Sequence, residues 1–494
     1  VPFGGAYVLD QLWHRLRIDQ IVGRVGQPKR GRRRDMTVTE RVLFALVANR
    51  ALAPSSKLAA AEWITNDVHI DGLAETGEQT CYRAMDWLHA VKDDLEKQVF
   101  DEVANLLNLE VDLLFFDTTS TYFEPEEPDD PVARDDTGRK LEDGQEDDGA
   151  KQVGFRTYGK SKDSRDDLPQ IVIGMAVTRD GVPVRCWCWP GNASDQTLIR
   201  QVKDEMRDRT LSKIVWVADR GFSSAENRRY LRRGDHAYII GEKLRSGSPE
   251  VQAALSRQGR CQDVGENMRV KEVRISDTDR FVICHNPEAA ERDRHMREQL
   301  VAQLADLIEG SDRLSDFKRG EPRRGEPRGR IADKPGLNRY LRATPAGKLR
   351  VDQAKIKTEE NLDGKYLLRC SDPHLSAEDI ALGYKQLLEV ERGWRDMKQV
   401  IDLRPVYHRL EERIRAHVIL CWLALLLIRI TDTATGDTRP QIRRELDRLH
   451  LGTFTGPTGT FQQVTALTKP QRDLLAKLDI SAPKQVISLH PAPR

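Results

Sequence analysis

Two aspartates close apolar runs in the same way. Asp117 ends Val111–Phe116 (VDLLFF) and opens D-T-T-S, and Asp219 ends Lys213–Ala218 (KIVWVA) and opens D-R-G-F. A carboxylate at the end of a core strand is costly unless a partner or a metal takes up its charge. In open α/β sheets the carboxyl ends of strands are also where ligands sit. A lone aspartate there is usually a turn or cap residue; two in one stretch weaken that explanation. A third acid, Glu391, lies midway between Tyr384 and Lys398 at intervals of seven residues. Seven helical steps turn through about 700°, so one continuous helix would hold the three nearly in line. Leu387, Trp394 and Ile401 repeat with the same period about 60° to one side,. Glu391 is therefore placed at the edge of a buried stripe, where a helix lying on a sheet could aim it at the strand ends. The same spacing also fits a partly buried glutamate on a solvated face. Three converging carboxylates would suit magnesium, which prefers oxygen ligands. Two such ions can activate water or a 3′-hydroxyl for in-line attack on a phosphodiester. No His/Cys cluster points to zinc and no G-x-x-x-x-G-K-[ST] segment to nucleotide hydrolysis,.

The elements that must position these residues change character along the chain. Residues 1–108 read as an all-α region, with apolar residues at helical spacing through Val42, Leu43, Leu46 and Val47 and through Met85, Leu88, Val91, Leu95 and Val99,. Residues 109–244 switch to strands. These are the run before Asp117, a hairpin of Gln170–Val177 and Val182–Trp189 around Arg179-Asp180-Gly181, the run before Asp219, and Ala237–Gly241,. A helix is expected over Asp195–Arg207, with Asn192–Asp195 as cap residues. Residues 245–375 read as an inserted, partly β domain; 376–445 return to long helices, the first carrying Glu391; 446–494 have weak signals and are taken as a tail. The fold class is α/β, with the partly antiparallel start of a ribonuclease H-like domain.

The net charge of +1 hides a strong asymmetry. Residues 124–149 hold twelve acids against three Lys/Arg, a stretch expected to be a mobile loop, which leaves a net of +10 for the rest of the chain. Residues 24–34 contain six Lys/Arg and no acid, and 318–350 contain eleven against three acids. Basic loops of this kind suit phosphate contacts, or are simply solvated. The seven cysteines form no C-x-x-C pair, so buried reduced thiols are expected rather than zinc or disulfides. The longest apolar run, Val418–Ile428, is too short to span a bilayer and is closed by Arg429,. The expectation is a cytoplasmic protein with no membrane role.

At this point the motifs resemble those of bacterial insertion-sequence DDE transposases, in the group whose acidic helix carries Y-x2-R-x3-E-x6-K. The segment here is YKQLLEVERGWRDMK: Tyr384, Glu391 and Lys398 match, while Leu387 stands at the arginine position. LLFFDTTSTYFE is similar to the first aspartate strand of that family and WVADRGFSS to the second; PGNASDQ and LRPVYHRLEERIRAHVILCWLALLL, with His408 and His417, are similar too. The resemblance implies a ribonuclease H-like core interrupted by a β-rich insertion. It also implies two Mg²⁺ or Mn²⁺ ions held by Asp117, Asp219 and Glu391, and DNA contacts from Tyr384 and Lys398. Arg392 or Arg395 would stand in for the missing arginine. Arg220 is a further phosphate candidate, though capping a helix start would account for it equally. The partners so implied are double-stranded DNA, as element ends and as target, and a second copy of the chain in a DNA-bound homo-oligomer, most simply a dimer. The N-terminal helices would read the ends or mediate dimerisation. Two other readings stay open: a metal-dependent nuclease without strand transfer, and a DNA-binding protein that has lost catalysis.

Overall fold

The computed structural model describes residues 1–491 apart from 29, 110–111, 143–144, 146, 208–212, 246, 258, 277–279, 312–324 and 458. Val111, Lys29 and the basic residues 318–324 singled out in the sequence thus lie outside the described residues. The chain packs as two units, residues 1–236 together with 385–494, and residues 237–384.

The first unit begins with five helices, α1 (Gly4–Arg15), α2 (Ile18–Val25), α3 (Thr37–Leu52), α4 (Lys57–Asn66) and α5 (Glu78–Leu106). Strands β1 (Leu113–Tyr122), β2 (Val132–Arg134), β3 (Lys151–Val153), β4 (Gln170–Thr178) and β5 (Pro183–Pro190) follow, then α6 (Asp195–Met206), β6 (Val215–Ala218), a 3-10 turn at Arg220–Phe222 and α7 (Ala225–Leu231). Four of the strands lie side by side in the order β5-β4-β1-β6. β5, β4 and β1 are antiparallel and β1 and β6 parallel. The β4–β5 turn needs Gly181, whose φ of +74° is strained for a side chain with a Cβ,.

Both faces of this four-stranded arrangement are covered. On one face Phe116 meets Trp187 and Phe222 edge-on, and the Trp189 indole donates to Gln201 of α6 at 2.8 Å. The other face carries Met175, against which α14 (Leu388–Gln399) approaches so closely that a Cβ on Gly393 would lie 2.7 Å from the Met175 methyl. Behind α14 runs α15 (Glu411–Thr435). It is apolar on every side because it is surrounded on every side, by α3, α5, α14 and β5,. Among the described residues α15 alone is long and apolar enough to cross a membrane, and 94% of its most apolar window is buried in the protein. The apolar run thus continues as helix past Arg429, which is buried and pairs with Asp396 of α14 at 2.8 Å.

The second unit holds β7 (Ala237–Glu242), α8 (Pro249–Ser256), β8 (Gln262–Asp263), β9 (Arg269–Arg274), β10 (Arg280–His285) and α9 (Pro287–Ile308). α10 (Gly325–Ala332), α11 (Pro335–Asn338), β11 (Leu341–Ala343), β12 (Leu349–Val351), α12 (Gln353–Glu360), β13 (Lys365–Cys370) and α13 (Ala377–Lys385) complete it. Its strands run β7-β13-β10-β9-β8, all antiparallel, over a core of Val251, Phe281, Ile283 and Leu367. β7, read from the sequence with the residues before 245, packs in this unit.

Three local expectations need correction. The helix expected to run on from Ser376 is interrupted: α13 ends at Lys385 and α14 starts at Leu388. Tighter bonds, Glu389 to Gln386 and Val390 to Leu387, span the break, and such a turn alters the rotation per residue. The single continuous helix assumed for Tyr384, Glu391 and Lys398 is therefore not formed. Residues 446–494 are no featureless tail. After α16 (Arg439–Leu446) come β14 (Leu451–Gly456), β15 (Gly459–Val464), α17 (Lys469–Lys477) and β16 (Val486–Pro491), with the three strands forming a sheet. These elements are short and partly exposed, so their periodicity is weak. The acidic stretch is tied down where it is described. Asp129 holds Arg156, and Arg134 donates to Glu411 at 2.8 Å.

Candidate active site

The parallel ladder of β1 and β6 stops at Phe116 opposite Ala218. The next residue on each side is an aspartate: Asp117, within β1, and Asp219, the residue that follows β6 and leads into the 3-10 turn. Phe115 is the register partner of Val217, and alternation places Asp117 and Asp219 on that same face. Asp117 also lies opposite Met175 on β4, so its carboxyl projects on the side that α14 covers. Strand formers and a register set far from the chain ends thus bring together two acids 102 positions apart in the numbering.

Two charged residues not singled out from the sequence complete this cluster. Asp195, expected as a cap residue, is the first residue of α6, but its carboxylate turns away from the helix. It accepts from the Thr118 hydroxyl at 2.6 Å and pairs with Lys162 at 3.1 Å. Lys162 Nζ donates to the Thr118 carbonyl at 2.8 Å and lies 3.9 Å from Asp117 Oδ1. Burial pushes the Asp117 carboxyl from 3.8 up to about 6; Lys162 and the Thr118 N–H oppose the rise, and the Asp219 and Asp195 charges add to it. PGNASDQ held the signal for Asp195. Lys162 sits in a charged loop whose composition does not distinguish it from other solvated lysines.

α14 presents its own charged flank. Val390, Gly393, Trp394 and Met397 form its buried stripe, and Glu391 and Lys398 lie close together in angle on one side of that stripe, two turns apart. Lys398 donates both to Asp163 Oδ1 at 2.9 Å and to Oδ2 at 3.1 Å, and Arg404 reaches the same carboxylate at 3.0 Å. Burial pulls the Lys398 ammonium below its usual range, with Asp163 opposing. Glu391 is exposed. Leu387, at the position where the transposase signature has arginine, is only 7% exposed and packs inward.

The remaining candidates are dispersed. Arg220 is exposed on the 3-10 turn after Asp219, and Arg392 and Arg395 are exposed on α14, with Arg392 3.9 Å from Glu389. Tyr384 belongs to the second unit, where it stacks on Tyr366 at 6.0 Å. His408 and His417 form a buried pair with rings 5.6 Å apart, and His417 lies 3.2 Å from the Leu403 carbonyl. Burial holds His408 down to about 3 and His417 well below its usual value, with Lys57 and Arg50 as nearby cations. These histidines are core residues around α15. All seven cysteines are free.

The donor set can be tested for a divalent cation. Asp117 and Asp219 fit one: both offer oxygen, they are adjacent, and Asp117 has too little countercharge to hold its carboxyl in the ordinary range,. Among the described residues no three Asp, Glu, His or Cys side chains come close enough to share an ion. Glu391 is therefore not assembled with the two aspartates here.

Residues 129–427, more than half of the chain, match the family described as Transposase DDE domain; the match includes Asp219 and Glu391 and begins after Asp117. Among solved structures, the cryo-EM structure of the piggyBac transposase synaptic complex with hairpin DNA is similar at a TM-score of 0.38 and 11% identity, over 89% of this chain and 76% of that one. No curated protein matches the chain.

Proposed function

The chain belongs to the transposase DDE-domain family, and from that premise we propose that it binds the terminal inverted repeats of its insertion sequence, cleaves the ends and joins their 3′-OH groups to target DNA. The observation that carries this reading is the parallel register of β1 and β6, whose last pair, Phe116 and Ala218, is followed at once by Asp117 within β1 and by Asp219 just past the end of β6. In this proposal the strands around them are a ribonuclease H-like core, residues 109–244 with 376–445, and residues 245–375 are an insertion. Residues 1–108 contact DNA or a second protomer, and the working form is a DNA-bound dimer in the cytoplasm.

Asp117 and Asp219 would hold Mg²⁺ or Mn²⁺, and Glu391, on the flank of α14 shared with Lys398, would supply the third carboxylate to a second ion once substrate is bound. Bound divalent cations supply Lewis acidity at the scissile phosphate and lower the pKa of the attacking water or hydroxyl. The chain's own groups do the rest. Lys398 places a cation two turns from Glu391 for a backbone phosphate. Arg392 and Arg395, exposed on α14, and Arg220, exposed beside Asp219, add positive charge at the surface a duplex would meet,; Tyr384, in the second unit, is a separate candidate for a DNA contact. The close-packed α14, pinned by Gly393 on Met175 and by Asp396 on Arg429, gives these groups a rigid platform.

The decisive assay supplies DNA carrying the element's own ends with Mg²⁺. The reading requires end cleavage and joined products, both lost in Asp117→Asn and Asp219→Asn; cleavage that persists in either variant refutes the metal assignment. Glu391 standing apart from the aspartates favours a second reading, a DNA-binding protein without catalysis. It requires end binding in EDTA and no product after Mg²⁺ is added.

A further inference from the structure

We propose that Lys398 and Arg404 form a two-cation seat for a phosphate of bound DNA, and that the Lys162–Asp163 dipeptide plugs the site until DNA and metal arrive, with Asp163 seated in place of the phosphate and Lys162 in place of the metal. This rests on the DNA-processing reading above and deepens it.

The geometry of Asp163 is that of a bound phosphate. Its two oxygens meet Lys398 at 2.9 and 3.1 Å and Arg404 at 3.0 Å. A phosphodiester carries the same single charge on two unbridged oxygens, so it can replace the carboxylate one for one. The three side chains are 16%, 12% and 26% exposed, which makes these ion pairs stronger than surface pairs and little screened by salt. One acid facing two cations leaves the seat positive. Arg404 is held by its own packing, its guanidinium 5.0 Å from the Tyr122 ring centroid at the end of β1.

Lys162, one residue earlier, does the converse. Its ammonium is 3.1 Å from Asp195 and 3.9 Å from Asp117. One positive charge between two acids leaves this half negative, and a divalent cation would neutralise it better. The loop is docked onto β1 through the Lys162 N–H, which donates to the Ser120 hydroxyl at 2.8 Å. Because the lysine and the aspartate are adjacent in sequence, withdrawing the loop exposes both halves together. DNA phosphate competes with Asp163 and metal competes with Lys162, so each should ease the entry of the other.

The test uses the full chain and a labelled duplex of arbitrary sequence, with binding followed by fluorescence anisotropy in EDTA over a series of salt concentrations. Asp163→Asn should bind about 3–10-fold more tightly than wild type at low salt. The slope of log affinity against log salt should steepen by about 0.9 for each further phosphate that the variant neutralises. Adding Lys398→Gln and Arg404→Gln to that variant should abolish the tighter binding. A folded Asp163→Asn protein that binds no more tightly than wild type overturns the plug. Hydrogen exchange on the wild-type chain gives a second measure that needs no variant: duplex plus Mg²⁺ should speed exchange across residues 160–166, and unchanged or slower exchange overturns the plug. Wild-type protein that binds no duplex at any salt refutes the DNA-processing reading itself, and the plug with it. Normal wild-type binding with no increase in Asp163→Asn refutes only the plug.

Discussion

Replacing Asp117 by asparagine should stabilise this protein while destroying its response to metal. The reason is the carboxyl's environment. Burial, aided by Asp219 and Asp195, outweighs Lys162 and lifts it from 3.8 to about 6. At about 1.4 kcal/mol per pH unit, the ionised carboxylate destabilises the metal-free fold by roughly 3 kcal/mol. Between about pH 4 and 6 the folded chain binds more protons here than the unfolded chain, so stability falls as pH rises through that window. Above pH 6 the full cost is present; below pH 4 none of it is. In EDTA at pH 7.5, Asp117→Asn should therefore melt higher than wild type, by about 3 °C for a chain of this size. The difference should shrink to nothing as pH is lowered to 4. Mg²⁺ or Mn²⁺ should raise the wild-type Tm, by about 2.7 kcal/mol of stabilisation at one hundred times Kd, and leave the variant unmoved. Differential scanning calorimetry with and without metal reads both effects. A variant that melts lower than wild type at pH 7.5 in EDTA, or keeps the wild-type metal shift, would refute the argument that Asp117 is an under-neutralised metal ligand.

Other expectations follow from single contacts. Lys57 is buried, and burial with Arg50 nearby holds its ammonium from 10.5 down to about 7. Lys57→Met should then stabilise the fold at pH 7 by roughly 2–5 kcal/mol, an effect that fades as pH rises from 7 towards 10.5; urea melts at two pH values check it, and a pH-independent difference contradicts it. Leu387→Arg would restore the family signature but place a charge in a site only 7% exposed, costing about 2–4 kcal/mol in a denaturant titration. Wild-type stability there would mean the arginine reaches solvent or DNA. Glu391→Gln should leave duplex affinity within about twofold, because Glu391 is exposed, yet reduce end cleavage by about 100-fold or more. Cleavage near the wild-type rate removes Glu391 from the site.

The local signals were legible in the sequence. Short runs such as LLFF and VWVA read as buried strands, so the aspartates that follow them are visible within a few residues; the expected strand end holds for Asp219, just past β6, but not for Asp117, because β1 runs on to Tyr122 in its pairing with β4. The stripe Leu387, Trp394 and Ile401 likewise shows a buried helical face by its period, and all three are buried. What the sequence did not carry is non-local. That Phe116 faces Ala218, and so that the two aspartates are neighbours, is a matter of strand register. Lys162 and Asp163 look like any charged loop until the fold lays their loop across β1 and α14. The break between Lys385 and Leu388, spanned by the tighter bonds of Glu389 to Gln386 and Val390 to Leu387, interrupts the continuous helix that the seven-residue spacing assumes. The sequence by itself determined which residues could end strands or line a helix face. Only tertiary structure decided which of those charges meet, because electrostatic partnership depends on distances of a few ångströms between segments hundreds of residues apart.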